Sequence, residues 1–236
     1  MGRILYIFPH PDDESFGPGP AISKQRRAGH DVYLLTLTRG EATRQREKYG
    51  YSKQKMGEVR YREMQRVVDV LDLTELEVLD LPDGGLAELN PLDLETIVTS
   101  KIHKVRPHVV VTYPTHGCSG HLDHLVTHAV VKRVFCAMKA EGAEYPKRLA
   151  FFTLDNASPV ERPEHLRGAP RSEIDCVVTF GGDDRRRGEA ALQAYETYRD
   201  VVEAHRPLTT VSEGVCFVFF GETYDPPVGD LMAGMS

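Results

Sequence analysis

The chain has 236 residues, of which 41% are hydrophobic and 27% charged, and its formal net charge is −6. This length is sufficient for one large α/β domain with a substantial buried core. The acidic balance disfavours a dedicated nucleic-acid binder, because phosphate recognition usually needs a basic surface. No apolar run approaches the roughly 20 residues that a membrane-spanning helix requires. We therefore expect neither nucleic acid nor a membrane as a partner.

The first residues lead directly into an apolar segment. After Met1, Gly2 and Arg3 the chain continues as "ILYIF", which is too short for the apolar region of a secretory signal. The cysteines are few, widely spaced and without CxxC spacing: Cys118, Cys136, Cys176 and Cys216. This usage is typical of mostly buried thiols in a reducing compartment, so the sequence predicts a cytoplasmic enzyme.

Apolar segments rich in Val, Ile and Leu alternate with amphipathic segments of helical length. The pattern predicts strands near residues 3–8, 31–37, 76–81, 108–113, 148–154, 173–179 and 214–220. It predicts helices near residues 20–29, 56–72, 91–106, 123–140 and 184–205. Because the first four strands alternate with helices, we expect a parallel sheet with right-handed crossovers. The prediction is a single α/β domain over 1–236, with a Rossmann-like, mainly parallel sheet and helices on both faces. The order of the later strands is left open, and 226–236 is predicted as a flexible tail.

Four predicted loops follow the carboxyl ends of strands, where open α/β sheets bind their ligands. These loops are "PHPDDESFG" (9–17), "TRGEATR" (38–44), "LPDGG" (81–85) and "YPTHGCSGHLDH" (113–124). The first and the last contain clusters of histidines and carboxylates, although they are far apart in sequence. The predicted fold brings both clusters to one rim of the sheet.

The first cluster combines His10 with Asp12, Asp13 and Glu14. If the loop turns like a helix, His10 and Asp13 share one side, while Asp12 points elsewhere. A histidine from another loop would complete a set of two histidines and one carboxylate. This composition recurs in catalytic zinc sites, which keep a fourth position for water. Asp12 would then be free to accept a proton from that water.

The second cluster consists of His121, Asp123 and His124, at the predicted start of a helix. His121 and His124 are three residues apart and can face the same space. One could ligate a metal while the other donates a proton or contacts an oxyanion. Asp123 is placed to orient a histidine.

Each cluster alone has a simpler explanation. Asp12 and Asp13 could cap the following helix, and His121 and His124 could be ordinary surface residues. Because both clusters follow the carboxyl ends of strands, the pair favours a functional site over two coincidences.

Together, "PHPDDESFG" and "GHLDH" resemble the motifs of the PIG-L/LmbE-type zinc-dependent de-N-acetylases. The likeness extends to "LTRGEA", "VRYRE" and "LPDG", and is nearest to the bacterial branch that acts on N-acetylglucosamine conjugates. The resemblance implies one Zn²⁺ per chain, held by His10, Asp13 and His124. It implies Asp12 as the general base, and His121, supported by Asp123, as the residue that steadies the oxyanion or protonates the amine.

The resemblance also implies substrate contacts. Arg60 in "VRYRE" matches a family arginine associated with substrate, although Arg60 and Glu63 could instead form a surface pair. Asp83 is by default a turn residue. The resemblance implies instead that it contacts the sugar. Glu41 either reaches the rim or lies in a solvated turn. Ser119 stands where some members carry a tyrosine, and it is included among the substrate contacts.

Two departures from the family pattern stand out. Leu122 replaces the proline of H-P-D-H, which affects loop stiffness more than chemistry. Near the C-terminus, where the family often shows a histidine and a glutamine, "ALQAYETYRD" offers Tyr195 and Tyr198. This second departure leaves the exact substrate open.

The sequence therefore predicts a zinc-dependent hydrolase that removes the acetyl group from an N-acetylglucosamine-type conjugate. A metal-dependent phosphoesterase is one alternative, but two-metal sites usually need more ligands than these clusters supply. A non-catalytic sugar- or nucleotide-binding module is another, although no G-x-G-x-x-G follows the first strand. The family likeness predicts a homo-oligomer, with weak support from the apolar segment "VCFVFFGETY" (215–224).

Overall fold

A computed structural model describes residues 1–235 of the chain. The strands are β1 (Arg3–Phe8), β2 (Asp31–Thr38), β3 (Glu75–Leu81), β4 (Val109–Thr112), β5 (Arg148–Thr153), β6 (Cys176–Val178) and β7 (Val215–Phe219). The α-helices are α1 (Gly19–Arg27), α2 (Gln45–Lys48), α3 (Lys53–Leu71), α4 (Pro91–Val105), α5 (Leu122–Ala140), α6 (Gly182–Ala194) and α7 (Arg199–His205).

The seven strands form one sheet in the order β3-β2-β1-β4-β5-β7-β6. Strand β1 pairs in parallel with β2 and β4, and the parallel pairing continues to β3 on one side and β5 on the other. Strand β7 runs antiparallel to both β5 and β6. The mainly parallel α/β fold is confirmed. The order of the later strands, which the sequence leaves open, is β5-β7-β6, with β7 in the middle.

Alternating side chains of β1 pack into two separate layers of the core. Ile4, Tyr6 and Phe8 join residues from α1, α3 and α6, whereas Leu5 and Ile7 join residues from α4 and α5. All five side chains are fully buried. A central parallel strand covered by helices on both faces needs this continuous apolar run.

The chain reverses its direction of winding between β1 and β4. Helix α1 leads from β1 to β2 and packs on one face, whereas α4 precedes β4 and packs on the other. The loops after β1 and β4 therefore leave the sheet beside each other and open a crevice. This switch point is where open α/β sheets bind ligands.

The predicted helix over 184–205 is broken into two. Helix α6 ends before Tyr195, whose backbone is not helical (φ −85°, ψ 72°), and a 3₁₀ turn over Glu196–Tyr198 leads into α7. The fully buried Tyr195 hydroxyl donates a hydrogen bond to Glu14, 2.9 Å away. This contact with a distant loop fixes the break, and helical periodicity cannot reveal it.

The segment 215–224 contributes mainly to the interior of this chain. Strand β7 lies between β5 and β6, and most of its side chains are buried in the core, so it lends no support to an oligomer interface. In the C-terminal segment, Val228 bridges to Cys176 and Leu231 is fully buried. Mobility of 226–236 stays a prediction, and Ser236 lies outside the described residues.

All four cysteines are free thiols, and three of them (Cys118, Cys176 and Cys216) are buried as expected. Over residues 1–235, no helix combines the length and the apolar character needed to cross a membrane.

Candidate metal centre and active site

The loop after β1 turns sharply at Asp12. This residue has a φ of +91°, a conformation that is rare for residues other than glycine and that clusters at functional sites. Its carbonyl accepts hydrogen bonds from the backbone N–H groups of Ser15 (2.8 Å) and Phe16 (2.9 Å). The tight turn sends the side chains of Asp12 and Asp13 to different partners.

The loop after β4 delivers the second cluster to the same place. His121 caps the start of α5, where its Nδ1 accepts a hydrogen bond from the backbone N–H of Asp123 at 3.2 Å. Gly117 has a φ of +62°, and a Cβ there would lie 2.8 Å from the Cβ of His124. Glycine therefore allows the loop to pack closely against His124.

His10, Asp13 and His124 converge on one point. His10 Nδ1 lies 3.2 Å from His124 Nε2. One carboxylate oxygen of Asp13 lies 3.7 Å from His10 Nδ1, and the other lies 3.5 Å from His124 Nε2. Zinc with tetrahedral ligands at about 2.0–2.2 Å spaces its donors roughly 3.3–3.6 Å apart. The closest separations, 3.2, 3.5 and 3.7 Å, are near this spacing, with a different Asp13 oxygen closest to each histidine.

The other polar atom of each of these side chains is already engaged. His10 Nε2 lies 3.1 Å from Asp123, His124 Nδ1 lies 2.9 Å from the Gly117 carbonyl, and Asp13 accepts hydrogen bonds from Tyr113 (2.7 Å) and from the His10 backbone (2.9 Å). Partners of this kind orient the ligands of metal sites and fix the histidine tautomers. The donor set therefore has the outer contacts that a bound metal ion requires.

The charges around His10 also fit a cation. Burial alone would lower the pKa of His10, but hydrogen bonds with Asp123 and Asp83, together with the charge of Asp13, raise it to about 10. The same negative field would attract a divalent ion in place of the proton. Burial lowers the pKa of His124, which favours its neutral, ligating form.

Two other groups of three side chains bring one possible donor atom each within 4.8 Å of one another: His10 with His121 and His124, and His10 with Asp83 and Asp123. Both groups contain His10, so neither can hold an ion independently of the set formed by His10, Asp13 and His124.

Asp12 lines the same cavity as this set, and its carboxylate contacts Arg60. The Arg60 Nη2 donates to Asp12 Oδ2 (2.5 Å) and to the Pro11 carbonyl (2.7 Å), and the guanidinium is buried. Burial raises the pKa of Asp12 to about 7, against the opposing charge of Arg60. The alternative of a surface Arg60–Glu63 pair is wrong, because both residues are buried and Glu63 instead accepts two hydrogen bonds from Thr197.

Tyr198 is a contributor that the sequence analysis leaves without a role. The Arg60 guanidinium lies 4.0 Å from the centre of the Tyr198 ring, and the Tyr198 hydroxyl lies 2.7 Å from Thr43 Oγ1. Tyr113, which holds Asp13, is another. Its position directly after the apolar strand β4 is the one signal that could have identified it.

The other predicted site residues lie around the same centre. Asp123 is directed to His10 rather than to His121, which it meets only through its backbone N–H. Asp83 lies 3.3 Å from His10 Nε2, and Glu41 accepts a hydrogen bond from the Asp83 backbone at 2.9 Å. Ser119 Oγ lies 3.4 Å from His124 Nδ1.

A cavity of about 520 Å³ opens above these residues. Its lining includes His10, Asp12, Asp13, Arg60, Asp83, Ser119, His121 and His124. The structure therefore brings together, on one cavity, every predicted catalytic and metal-binding residue except the buried Asp123, which lies behind His10. Of the predicted substrate contacts, Glu41 lies behind Asp83.

Comparisons with known proteins find related sequences and folds. A family model described as PIG-L, GlcNAc-PI de-N-acetylase, matches residues 5–135. The 1D-myo-inositol 2-acetamido-2-deoxy-alpha-D-glucopyranoside deacetylase of Kineococcus radiotolerans is 29% identical, over 90% of this chain and 73% of that protein. The protein of the same name from Mycolicibacterium smegmatis is 31% identical, over 78% and 71%.

Solved structures share the fold at low sequence identity. A deacetylase from the biosynthesis pathway of teicoplanin aligns with a TM-score of 0.69 and 16% identity, over 94% of this chain and all of that one. GalB, the 4-carboxy-2-hydroxymuconate hydratase from Pseudomonas putida KT2440, aligns with a TM-score of 0.66 and 17% identity, over 94% and 98%. These likenesses concern the fold alone.

The fold and the site define an α/β protein with a histidine and carboxylate centre at the switch point of its sheet. Because the family model covers more than half of the chain, this protein belongs to the PIG-L family of de-N-acetylases.

Proposed function

We propose that this protein is a zinc-dependent N-deacetylase. It hydrolyses the acetamide of an N-acetylglucosamine-type conjugate to acetate and a free amine. The observation that carries the proposal is the convergence of His10, Asp13 and His124 within 3.2–3.7 Å, with Asp12 beside them on the same cavity. The deacetylases among its relatives support the choice of an acetamide substrate.

One divalent ion, most simply Zn²⁺, is held by His10, Asp13 and His124. Bound there, it would polarise the amide carbonyl and lower the pKa of an attacking water. Asp123 orients His10 through the hydrogen bond to Nε2. This assignment revises the predicted support of His121 by Asp123, because the Asp123 carboxylate faces the other histidine.

Asp12 is the general base. It accepts a proton from the attacking water as the new C–O bond forms, and positioned bases of this kind are worth roughly 10²–10⁴-fold in rate. His121 is exposed beside the two histidine ligands, with its ring centre 4.7 Å from that of His10 and 5.4 Å from that of His124, and its Nδ1 is engaged by the Asp123 backbone. Its Nε2 is the atom that steadies the carbonyl oxygen or gives a proton to the amine as the C–N bond breaks.

Substrate contacts fall to Asp83 and Ser119, which line the cavity, with Glu41 fixing the Asp83 backbone. For Arg60, which the family resemblance associates with substrate, we propose a different role. Its guanidinium is 2% exposed and donates to Asp12, to the Pro11 carbonyl and to the Gly40 carbonyl. We therefore assign Arg60 to the positioning of Asp12.

The test is acetate release from N-acetylglucosaminides by purified protein with added Zn²⁺ and after chelation, together with elemental analysis. We expect about one zinc per chain, activity lost on chelation, and activity restored by zinc. Zinc-independent acetate release, or no release from any glycoside, would contradict the proposal.

The same measurements address the alternatives. A phosphoesterase with two metals would need His10 to bridge both, since both further donor groups contain it. Two metals per chain with phosphate release would favour that activity. Sugar binding without acetate release would favour a binding module.

We also propose a homo-oligomer in the cytoplasm, which rests on the family resemblance and on cysteine usage. A monomer mass by light scattering at micromolar concentration would contradict the homo-oligomer. Cell fractionation would test the cytoplasmic location.

A further inference from the structure

The cavity has two unlike sides. The loops after β2 and β3 contribute Thr43, Asp83 and Gly84, and the chain beyond β5 contributes Leu154 and Leu166. In the sheet, β2 and β3 lie beyond β1, while β5 lies beyond β4. The polar side with Asp83 and the apolar side with Leu166 therefore flank the proposed metal centre, which sits between β1 and β4. Val201 of α7 also lines the cavity, and α7 follows Tyr198, whose hydroxyl lies 2.7 Å from Thr43.

Three apolar side chains that line the cavity are only half-buried, namely Phe16, Leu166 and Val201, and together they form its apolar side. They come from three different segments, the loop after β1, the segment between β5 and β6, and α7. Half-buried apolar side chains around a concave site lose their water when an apolar ligand enters, which favours binding.

These segments are fixed against the active-site loops. The backbone N–H of Arg167, next to Leu166, donates to the Cys118 carbonyl at 2.7 Å. The rings of Phe16 and Tyr198 meet edge to face, with centroids 6.5 Å apart, and α7 begins directly after Tyr198. The apolar side is thus tied to the metal centre and is not an isolated surface patch.

We propose that the substrate carries an apolar aglycone, an alkyl or aryl group, which binds against Phe16, Leu166 and Val201. The proposal rests on the proposed function, because it places the acetamide at the metal centre. An amino-sugar in that position directs its ring hydroxyls and its aglycone to different sides. The hydroxyls match the polar side with Asp83, and the aglycone then meets the apolar one.

A competing reading is an anionic aglycone, because Arg44, His165 and His205 also line the cavity. All three residues are exposed at its mouth. Solvent screens charges in such positions, so they contribute little to affinity. The half-buried apolar side chains therefore favour the apolar occupant.

The experiment compares the methyl and octyl glycosides of N-acetylglucosamine by acetate release, with N-acetylglucosamine 1-phosphate as an anionic probe. We expect a KM about tenfold lower for the octyl glycoside than for the methyl glycoside, with similar kcat. Leu166→Asp and Val201→Asp should reduce this difference to less than about threefold, by raising the KM of the octyl glycoside more than that of the methyl glycoside. Leu92→Asp is the matched control, because Leu92 is exposed on α4 and is absent from the cavity lining.

Equal KM values for the two glycosides, or a preference for the phosphate, would overturn the proposal while leaving the deacetylase function intact. No acetate release from any probe would instead reject the deacetylase function. Calorimetric titration with octyl and methyl glucosaminide, the two amine products, tests the apolar side without any catalysis. Equal affinity for the two amines would overturn it independently.

Discussion

The two halves of the sheet contribute different things to the site. Strands β1 to β4 and the loops that follow them supply the charged groups, from His10 to His124. The family match, residues 5–135, ends inside α5 and covers this half. The C-terminal half, with β5 to β7, α6 and α7, supplies Tyr195, Tyr198 and much of the apolar side of the cavity. The proposed chemistry thus resides in the half that the family model matches, and we propose that the second half positions the base and shapes the cavity.

The same fold occurs in proteins that are named for different reactions. A teicoplanin-pathway deacetylase and a muconate hydratase both align with nearly the whole chain. A shared fold does not imply a shared reaction, because function depends on the side chains placed at the site. The roles proposed for the two halves therefore have to be tested by substitutions at individual residues.

The largest effect is expected from the adjacent aspartates of the first half. Asp12→Asn keeps the shape but cannot accept a proton, so kcat should fall roughly 10²–10⁴-fold with zinc retained. Asp13→Asn removes a charged ligand, so zinc affinity should fall and activity should partly return at high zinc. Zinc content and acetate release for both variants measure the difference. Loss of zinc in Asp12→Asn alone would reverse the two assignments.

Asp123→Asn should weaken the zinc site without removing a ligand. The amide can no longer accept from His10 Nε2 as a carboxylate does, and losses of outer partners typically cost 10–100-fold in metal affinity. Competition with a fluorescent zinc chelator measures this affinity. Asp69→Asn, an exposed change on α3, is the control. Unchanged affinity in Asp123→Asn would leave Asp123 as a structural residue of α5.

The sequence predicts the strands of both halves and the charged clusters of the first half, but not the contacts that hold these clusters, for a physical reason. The histidine and carboxylate clusters are local in sequence, and a parallel sheet brings the loops after its strands to one rim, so His10 and His124 could be placed together. The contacts of Tyr198 with Arg60 and of Asp123 with His10 join distant segments. Hydrophobic periodicity cannot predict such contacts. The same holds for the turn at Tyr195, whose hydroxyl bonds to Glu14, far away in the chain.

Tyr198 tests whether the second half acts on the base. Tyr198→Leu removes the ring from the Arg60 guanidinium, a contact worth up to about 2 kcal/mol when desolvated. Asp12 should be held less firmly, and kcat should fall about tenfold with little change in KM. Tyr198→Phe keeps the ring, loses only the bond to Thr43, and should remain within about threefold of the wild type.

Activity alone does not separate these roles, so the Arg60 Nε–H signal in NMR spectra provides a second measurement. Loss of the aromatic ring should shift this signal in Tyr198→Leu and not in Tyr198→Phe. If Tyr198→Leu raises KM and leaves kcat unchanged, Tyr198 contacts the substrate and does not position Asp12.

The smallest effect on turnover is expected from a buried carboxylate of the second half. Asp175 accepts hydrogen bonds from the backbone N–H groups of Phe219 (2.7 Å) and Tyr224 (3.0 Å), and so fixes the end of β7. In Asp175→Asn the new NH₂ group faces one of these donors, which should lower the free energy of unfolding by about 1–3 kcal/mol. Urea denaturation measures the loss, with Asp69→Asn as the exposed control. Because Asp175 does not line the cavity, zinc content and kcat of the folded variant should equal those of the wild type. A lower kcat at full folding would mean that the end of β7 also sets the geometry of the catalytic centre, and the two halves would then not be separable.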